Sequence, residues 1–224
     1  MACTHPLFLL VKWILQVTNK MHLSNQLSIG LTGLMGSGKS EAAHYFKRAG
    51  YPVLFMDEIG HTCLQEPNNI KTLKNYFGPK ILDDHNNINR KKLSQLVFNN
   101  PKKLHKLNAF LHPKMNQKAK DWIKQHFITG DQLVFIEAAI LFEMQMNKFL
   151  DYTVLIKAKE KELINRIMKR DHKSINEIKQ ILETQKMNEN QVDYVIVNDD
   201  TLKVFYQKCD QLLKQLLQEI TVEK

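Results

Sequence analysis

Arginine is nearly missing from this 224-residue chain: it occurs only at positions 48, 90, 166 and 170, although the formal net charge is +9. The positive excess is therefore mostly lysine, spread along the chain, with no basic block interleaved with aromatics. That distribution argues against a single-strand nucleic-acid surface and for a solvated lysine surface around a site for anionic ligands. Cysteine is as scarce. Cys3, Cys63 and Cys209 are odd in number and far apart, so they make neither a C-x-x-C zinc half-site nor a disulfide framework, and a reducing cytoplasm fits best. Long apolar runs are lacking too. Pro6–Leu15 is apolar, but Lys12 interrupts it and it is too short to span a bilayer. It also lacks the basic start and small-residue cleavage site of a signal peptide, so no membrane association is expected. Residues 1–26 read as an N-terminal extension, with Met21 as an alternative start. Repeats and low-complexity segments are absent. Hydrophobic content of 43% and charged content of 25% are ordinary for one α/β domain with insertions.

What the chain does contain is Gly33-Leu-Met-Gly-Ser-Gly-Lys-Ser40, a complete G-x-x-x-x-G-K-[ST] phosphate-binding loop. Glycines at 33, 36 and 38 permit backbone conformations that turn successive N–H groups inward around a triphosphate. Lys39 places a charge on the β- and γ-phosphates, and the Ser40 hydroxyl can ligand Mg²⁺. A helix starting at about Lys39 adds its positive N-terminal end. The flanks agree: Leu27–Thr32 reads as a short buried strand, and Ser40–Ala49 as a helix closed by Gly50. A chance glycine-rich turn would not need that strand–loop–helix context.

Five apolar runs suit parallel strands buried on both faces: Leu27–Thr32, Pro52–Phe55, Leu133–Glu137, Tyr152–Ile156 and Tyr194–Val197. Helical patterns between them predict a doubly wound α/β domain, a five-stranded parallel sheet in a three-layer α/β/α sandwich. The long stretch between the second and third runs is helix-like, punctuated at Pro67, Gly78-Pro79, Asp83-Asp84, Asn99-Asn100-Pro101 and His112-Pro113. It predicts a helical substrate-binding insertion over 58–130. The core is then 27–57, 131–158 and 191–224. A second insertion over 159–190 reads as two helices, Lys159–Arg170 and Ser174–Met187, with a turn at Asp171-His-Lys173 and Ser174 and Glu177 forming a capping box. Arg166 and Arg170 share one helix face. A solvated charged face is the bland reading. In a phosphate-loop chain that hardly uses arginine, a lid closing over triphosphate is the sharper one. Leu202–Ile220 reads as a terminal helix.

A phosphate loop alone does not separate a kinase from a GTPase or a motor ATPase. A GTPase needs an N-K-x-D motif well after the loop. Asn19-Lys20 precedes the loop, and after Asn147-Lys148 the next acid, Asp151, is one residue too far. A short chain with two helical insertions points to a small-molecule kinase instead.

At this point the chain resembles the dephospho-CoA kinase family, which has the P-loop kinase fold, from about Leu27 to Leu202. The resemblance rests on Ile29-Gly-Leu-Thr-Gly33 leading into Gly36-Ser-Gly-Lys-Ser40, on Gly50-Tyr-Pro-Val53 and on Met56-Asp-Glu-Ile59. It continues through Asn89-Arg-Lys-Lys-Leu93 with Val97-Phe98, Leu107 to Pro113, Ile140-Leu-Phe-Glu143, Arg166, Arg170-Asp171, Gln185, and Asp193-Tyr-Val-Ile with Asn198. It implies transfer of the ATP γ-phosphoryl group to the 3′-hydroxyl of the ribose in dephospho-CoA, with Mg²⁺ as cofactor, in a cytoplasmic monomer or weak homo-oligomer.

The implied ATP site is Gly33, Leu34, Met35, Gly36, Ser37, Gly38, Lys39, Ser40 and Glu41, with Asn198 near adenine. Asp57, just beyond the second strand, would accept the ribose hydroxyl proton; as a lone residue after a strand it would more simply be a helix N-cap. Lys39, Arg166 and Arg170 would offset charge on the phosphates, and Glu137 would join Ser40 at Mg²⁺. His61, Arg90, His112, Leu141, Phe142 and Glu143 are the implied substrate-side positions, although His112 before proline also suits a structural role at a helix end. Departures from the family pattern are Glu41 for threonine, Phe55 for the first acid of a D-x-D pair, Glu137 for aspartate, Ala139 for proline, and Ile181 where a lid arginine is usual. Another P-loop nucleotide or nucleoside kinase, or a catalytically weakened nucleotide-binding homologue, remain as alternatives.

Overall fold

The computed structural model describes residues 25–98, 100–172, 174–185 and 189–221. Cys3, the apolar Pro6–Leu15 segment and Met21 lie outside the described residues, as do Asn99, Lys173 and Met187.

Five strands form one sheet: β1 (Leu27–Thr32), β2 (Val53–Phe55), β3 (Leu133–Glu137), β4 (Tyr152–Lys157) and β5 (Tyr194–Val197). All pair in parallel, in the order β2-β3-β1-β4-β5. Every residue of β1 and β3 is buried. Covered on both faces, they carry nearly unbroken apolar runs instead of alternation. The helices among the described residues are α1 (Lys39–Arg48), α2 (Met56–Gln65), α3 (Pro67–Phe77), α4 (Arg90–Phe98), α5 (Pro101–Ile128), α6 (Glu160–Asp171), α7 (Ile175–Thr184) and α8 (Leu202–Thr221).

Successive strand residues point to opposite faces and so feed two cores. Ile29, Leu31, Phe135 and Val154 pack with Phe46 of α1 and Phe205 of α8. Val134 and Ile136 pack with α2 to α5 through Met56, Leu73 and Leu111. The three-layer sandwich expected from the strand spacing is therefore present. The rings of Phe46 and Phe135 stack at 4.1 Å with 1° between their planes. Such a pair adds about 0.5–1.5 kcal/mol beyond its area burial, and it fixes α1, which carries the phosphate loop, onto the central sheet. Cys63 and Cys209 are buried in the separate cores.

Helix α5 corrects the punctuation expected at His112-Pro113, because it runs without interruption from Pro101 to Ile128. Its buried stripe is Leu107, Leu111, Met115, Ala119 and Ile123, spaced four apart. Pro113 is off that stripe. Pro113 removes the hydrogen bond to the Ala109 carbonyl, but both residues are exposed, so water can serve that oxygen. The capping box at Ser174 and Glu177 is present at the start of α7. Helix α2 begins at Met56, just ahead of the insertion expected from 58.

Candidate active site

The phosphate loop joins β1 to α1 and is fixed from behind. Gly36 has φ 80, and a Cβ there would fall 2.9 Å from Ile167 Cγ1 and 3.1 Å from the Leu163 carbonyl oxygen. Gly38 has φ 97, and a Cβ there would lie 2.2 Å from Asn198 Nδ2. Both positions therefore need glycine twice over, for conformation and for contact. Asn198 donates through Nδ2 to the Ser37 carbonyl at 2.8 Å. Arg166 in turn donates to the Asn198 carbonyl at 2.8 Å and, at 3.4 Å, to the carbonyls of Gly36 and Ser37.

Helices α6 and α7 and the residues after them touch the loop directly. Leu34 and Met35 pack against a small apolar cluster of Ala158, Leu163, Ile167 and Ile178. The Met35 N–H donates to Gln185 Oε1 at 3.0 Å. Gln185 is half-buried just beyond the end of α7, so both α6 and α7 are tied to the loop. Sequence comparison with the family pattern singled out Gln185 without a role; the contact supplies one.

These elements enclose a cavity of about 400 Å³ lined by Gly33, Leu34, Met35, Gly36, Gly38, Lys39, Ser40 and Glu41, together with Asp57, Ala139, Arg166, Arg170 and Gln185. Its inner end is polar and nearly dry. Lys39 Nζ is paired with the Glu137 carboxylate, with side-chain exposures of 11% and 5%. Ser40 Oγ donates to the same Glu137 oxygen at 3.2 Å. Burial lowers the Lys39 ammonium to about 8; the charge of Asp57 opposes this and that of Arg170 adds to it. Arg170 is gripped by its neighbour Asp171 through two bonds of 2.7 and 2.8 Å. Glu41 is not a bare negative charge beside the loop. Tyr206 and Arg48 both donate to its Oε1, and they hold its carboxyl below the usual range.

A second cavity, of about 510 Å³, lies between α2, α4 and α5. Its polar rim brings together Asp57, His61, Arg90 and Lys91, over a floor that includes Leu93, Val97, Leu107, Leu111 and Met115. Asp57 lines both cavities. It sits in the first turn of α2, where Phe55 occupies the N-cap position, so the capping role open to a lone aspartate is not the one it takes.

Other expected positions fall elsewhere. His112 and Glu143 share a third cavity of about 560 Å³, which has no lining residue in common with the other two. Burial lowers the His112 imidazole, and the charge of Glu143 opposes this. His112 sits within α5, not at a helix end. Leu141 is fully buried. Its Cδ1 would lie 2.5 Å from a Cβ on Gly30, so the side chain anchors the turn to β1 and does not face a ligand. Phe142 is half-buried against the same core. Asn198 does not line the phosphate-loop cavity, because its amide is committed to the back of the loop.

A family model described as dephospho-CoA kinase matches residues 27–203. Among curated relatives, a dephospho-CoA kinase of Fusobacterium nucleatum is 31% identical over 191 residues, covering 84% of this chain and 97% of its own length. A dephospho-CoA kinase of Coxiella burnetii is 34% identical over 197 residues, covering 86% and 98%. Among solved structures, a Thermus thermophilus protein superposes with a TM-score of 0.73 at 29% identity, over 87% of this chain and 97% of its own. The fold is shared too with a dephospho-CoA kinase from Campylobacter jejuni, with a TM-score of 0.68 at 24% identity over 88% and 99%.

Proposed function

The chain belongs to the dephospho-CoA kinase family, and we propose that it transfers the γ-phosphoryl group of ATP to the ribose 3′-hydroxyl of dephospho-CoA, giving coenzyme A and ADP. The observation that carries this reading is the position of Asp57, exposed on the shared wall of the phosphate-loop cavity and the insertion cavity. A donor bound by the loop and an acceptor bound by the insertion would meet at that carboxylate.

In this reading the loop N–H groups and the start of α1 bind the triphosphate. Lys39 leaves Glu137 for the β- and γ-phosphates. Asp57 takes the proton of the 3′-hydroxyl as its oxygen bonds to the γ-phosphorus, and the bond from that phosphorus to the bridging oxygen breaks, with the electron pair leaving on ADP. Arg166 and Arg170 face the same cavity and offset the negative charge of the transferring group. The Ser40 hydroxyl and Glu137 carboxylate, already in contact, are an oxygen donor set of the kind Mg²⁺ takes alongside phosphate oxygens. Mg²⁺ held there would neutralise phosphate charge during transfer.

His61 and Arg90 are the acceptor-side groups of the same reading, with the apolar floor beneath them. Residues 58–130 then serve as the substrate-binding insertion and 159–190 as the lid. The remaining stretches, 27–57, 131–158 and 191–224, form the nucleotide-binding core. A cytoplasmic monomer or weak homo-oligomer completes the proposal; no described helix is long and apolar enough to cross a membrane. The test is ADP release with Mg²⁺-ATP and a panel of dephospho-CoA, AMP, CMP and nucleosides. Turnover with dephospho-CoA is expected. Turnover of another acceptor, with none of dephospho-CoA, would overturn the assignment.

A further inference from the structure

Glu41 occupies a position with two opposed effects on an anion. It is the third residue of α1, so its backbone N–H is among the helix-start donors that have no partner inside the helix. Those donors attract a phosphate. Its side chain, however, carries an anion at the same helix end, and the residue lines the same cavity. Left to swing freely, that carboxylate would both repel the triphosphate and compete with it for the donors.

It is held away instead. Glu41 Oε1 accepts from Arg48 Nη2 at 3.1 Å and from the Tyr206 hydroxyl at 2.5 Å. Arg48 Nη2 also donates to the Tyr206 oxygen at 2.8 Å, closing a three-membered ring of hydrogen bonds. The Arg48 guanidinium lies 5.5 Å from the centre of the Tyr206 ring, and Tyr206 stacks on Tyr45 at 4.6 Å. Arg48 and Glu41 sit two turns apart on α1, whereas Tyr206 comes from α8. The arrangement thus spans two helices that pack together in the core beneath the loop.

We infer that Arg48 and Tyr206 are positioning residues for ATP, forming a clamp that keeps the Glu41 carboxylate off the triphosphate. The inference rests on the reading of this cavity as the ATP site. It accounts for an acidic residue directly after the loop serine without requiring that ATP binding be lost. Neither clamp residue needs to touch the nucleotide; both act through Glu41.

The test is the ATP dissociation constant of the full chain, measured calorimetrically without acceptor, for the wild type, Arg48→Ala, Arg48→Lys, Glu41→Gln and the Glu41→Gln/Arg48→Ala double variant. Arg48→Ala is expected to weaken ATP about threefold to tenfold at low salt, and less as salt is raised, as befits a charge effect near the surface. Arg48→Lys should recover part of the loss. In the Glu41→Gln background, removal of Arg48 should have no effect. An equal loss in both backgrounds, or no loss in either, would overturn the clamp. A wild-type chain that fails to bind ATP would overturn the reading of the site itself, an outcome distinct from failure of the cycle.

Discussion

Gln185 Oε1 accepts a hydrogen bond from the backbone N–H of Met35 at 3.0 Å, joining the segment after α7 to the phosphate loop across 150 positions of sequence. Gln185 lines the phosphate-loop cavity, so the bond couples the position of α7 to that of the loop where, in the proposed function, ATP would sit. Gln185→Ala should therefore raise the KM for ATP by roughly twofold to tenfold, the range of one net hydrogen bond. Glutamate at this position keeps an acceptor oxygen and should recover more than alanine does. Steady-state kinetics with varied ATP measure both effects.

The lowered Lys39 pKa predicts a pH effect of definite sign. With the free ammonium lowered by burial to about 8, against an ordinary value of 10.5, the unliganded chain sheds this charge as pH rises through about 8. Bound phosphates favour the charged form, so binding should draw a proton from solvent above that pH. ATP affinity should fall between about pH 7 and about pH 9.5. Calorimetry in buffers of different ionisation heat should detect the proton taken up. Lys39→Arg, which stays charged, should lose the pH dependence.

Asn198 predicts a stability effect separate from chemistry. Its buried amide satisfies the Ser37 carbonyl, and its own carbonyl accepts from Arg166. Asn198→Ala leaves the Ser37 oxygen with only the longer 3.4 Å bond from Arg166 and opens space behind Gly38, which should cost about 1–3 kcal/mol. Thermal or urea unfolding of the variant checks this.

Phe46→Ala removes one ring of the stacked pair under α1 and should destabilise the fold by about 3–5 kcal/mol. A denaturant midpoint shift of corresponding size is the expected readout. A change below 1 kcal/mol would mean that α1 is held by other contacts.

Much of this was legible in the residues because local physics dominates there. The runs at Leu27–Thr32 and Leu133–Glu137 match their strands at both ends because both faces are covered there; the run at Tyr194–Val197 matches too, but as an edge strand with Val195 and Val197 exposed it is not buried on both faces as expected. The loop was legible because glycine spacing, lysine and serine are all adjacent in sequence. What was hidden depends on distant partners. Nothing near Glu41 announces Tyr206, and nothing near Asn198 announces that its amide is spent on Ser37. Pro113 looked like a break because proline removes a helix bond; only the exposure of Ala109 shows why the helix continues. Leu141 sits in a turn beside Glu143, yet its side chain descends to Gly30, a direction that a turn motif does not encode.

Asp57 lines both cavities, and Asp57→Asn probes whether donor and acceptor meet at its carboxylate. ATP affinity and ADP formation with dephospho-CoA are measured together on this variant. ATP binding is expected to stay close to wild type, because the loop is untouched, with turnover reduced about a hundredfold or more as the acceptor loses its base. Turnover near the wild-type rate, with ATP still bound, would contradict a meeting of donor and acceptor at Asp57.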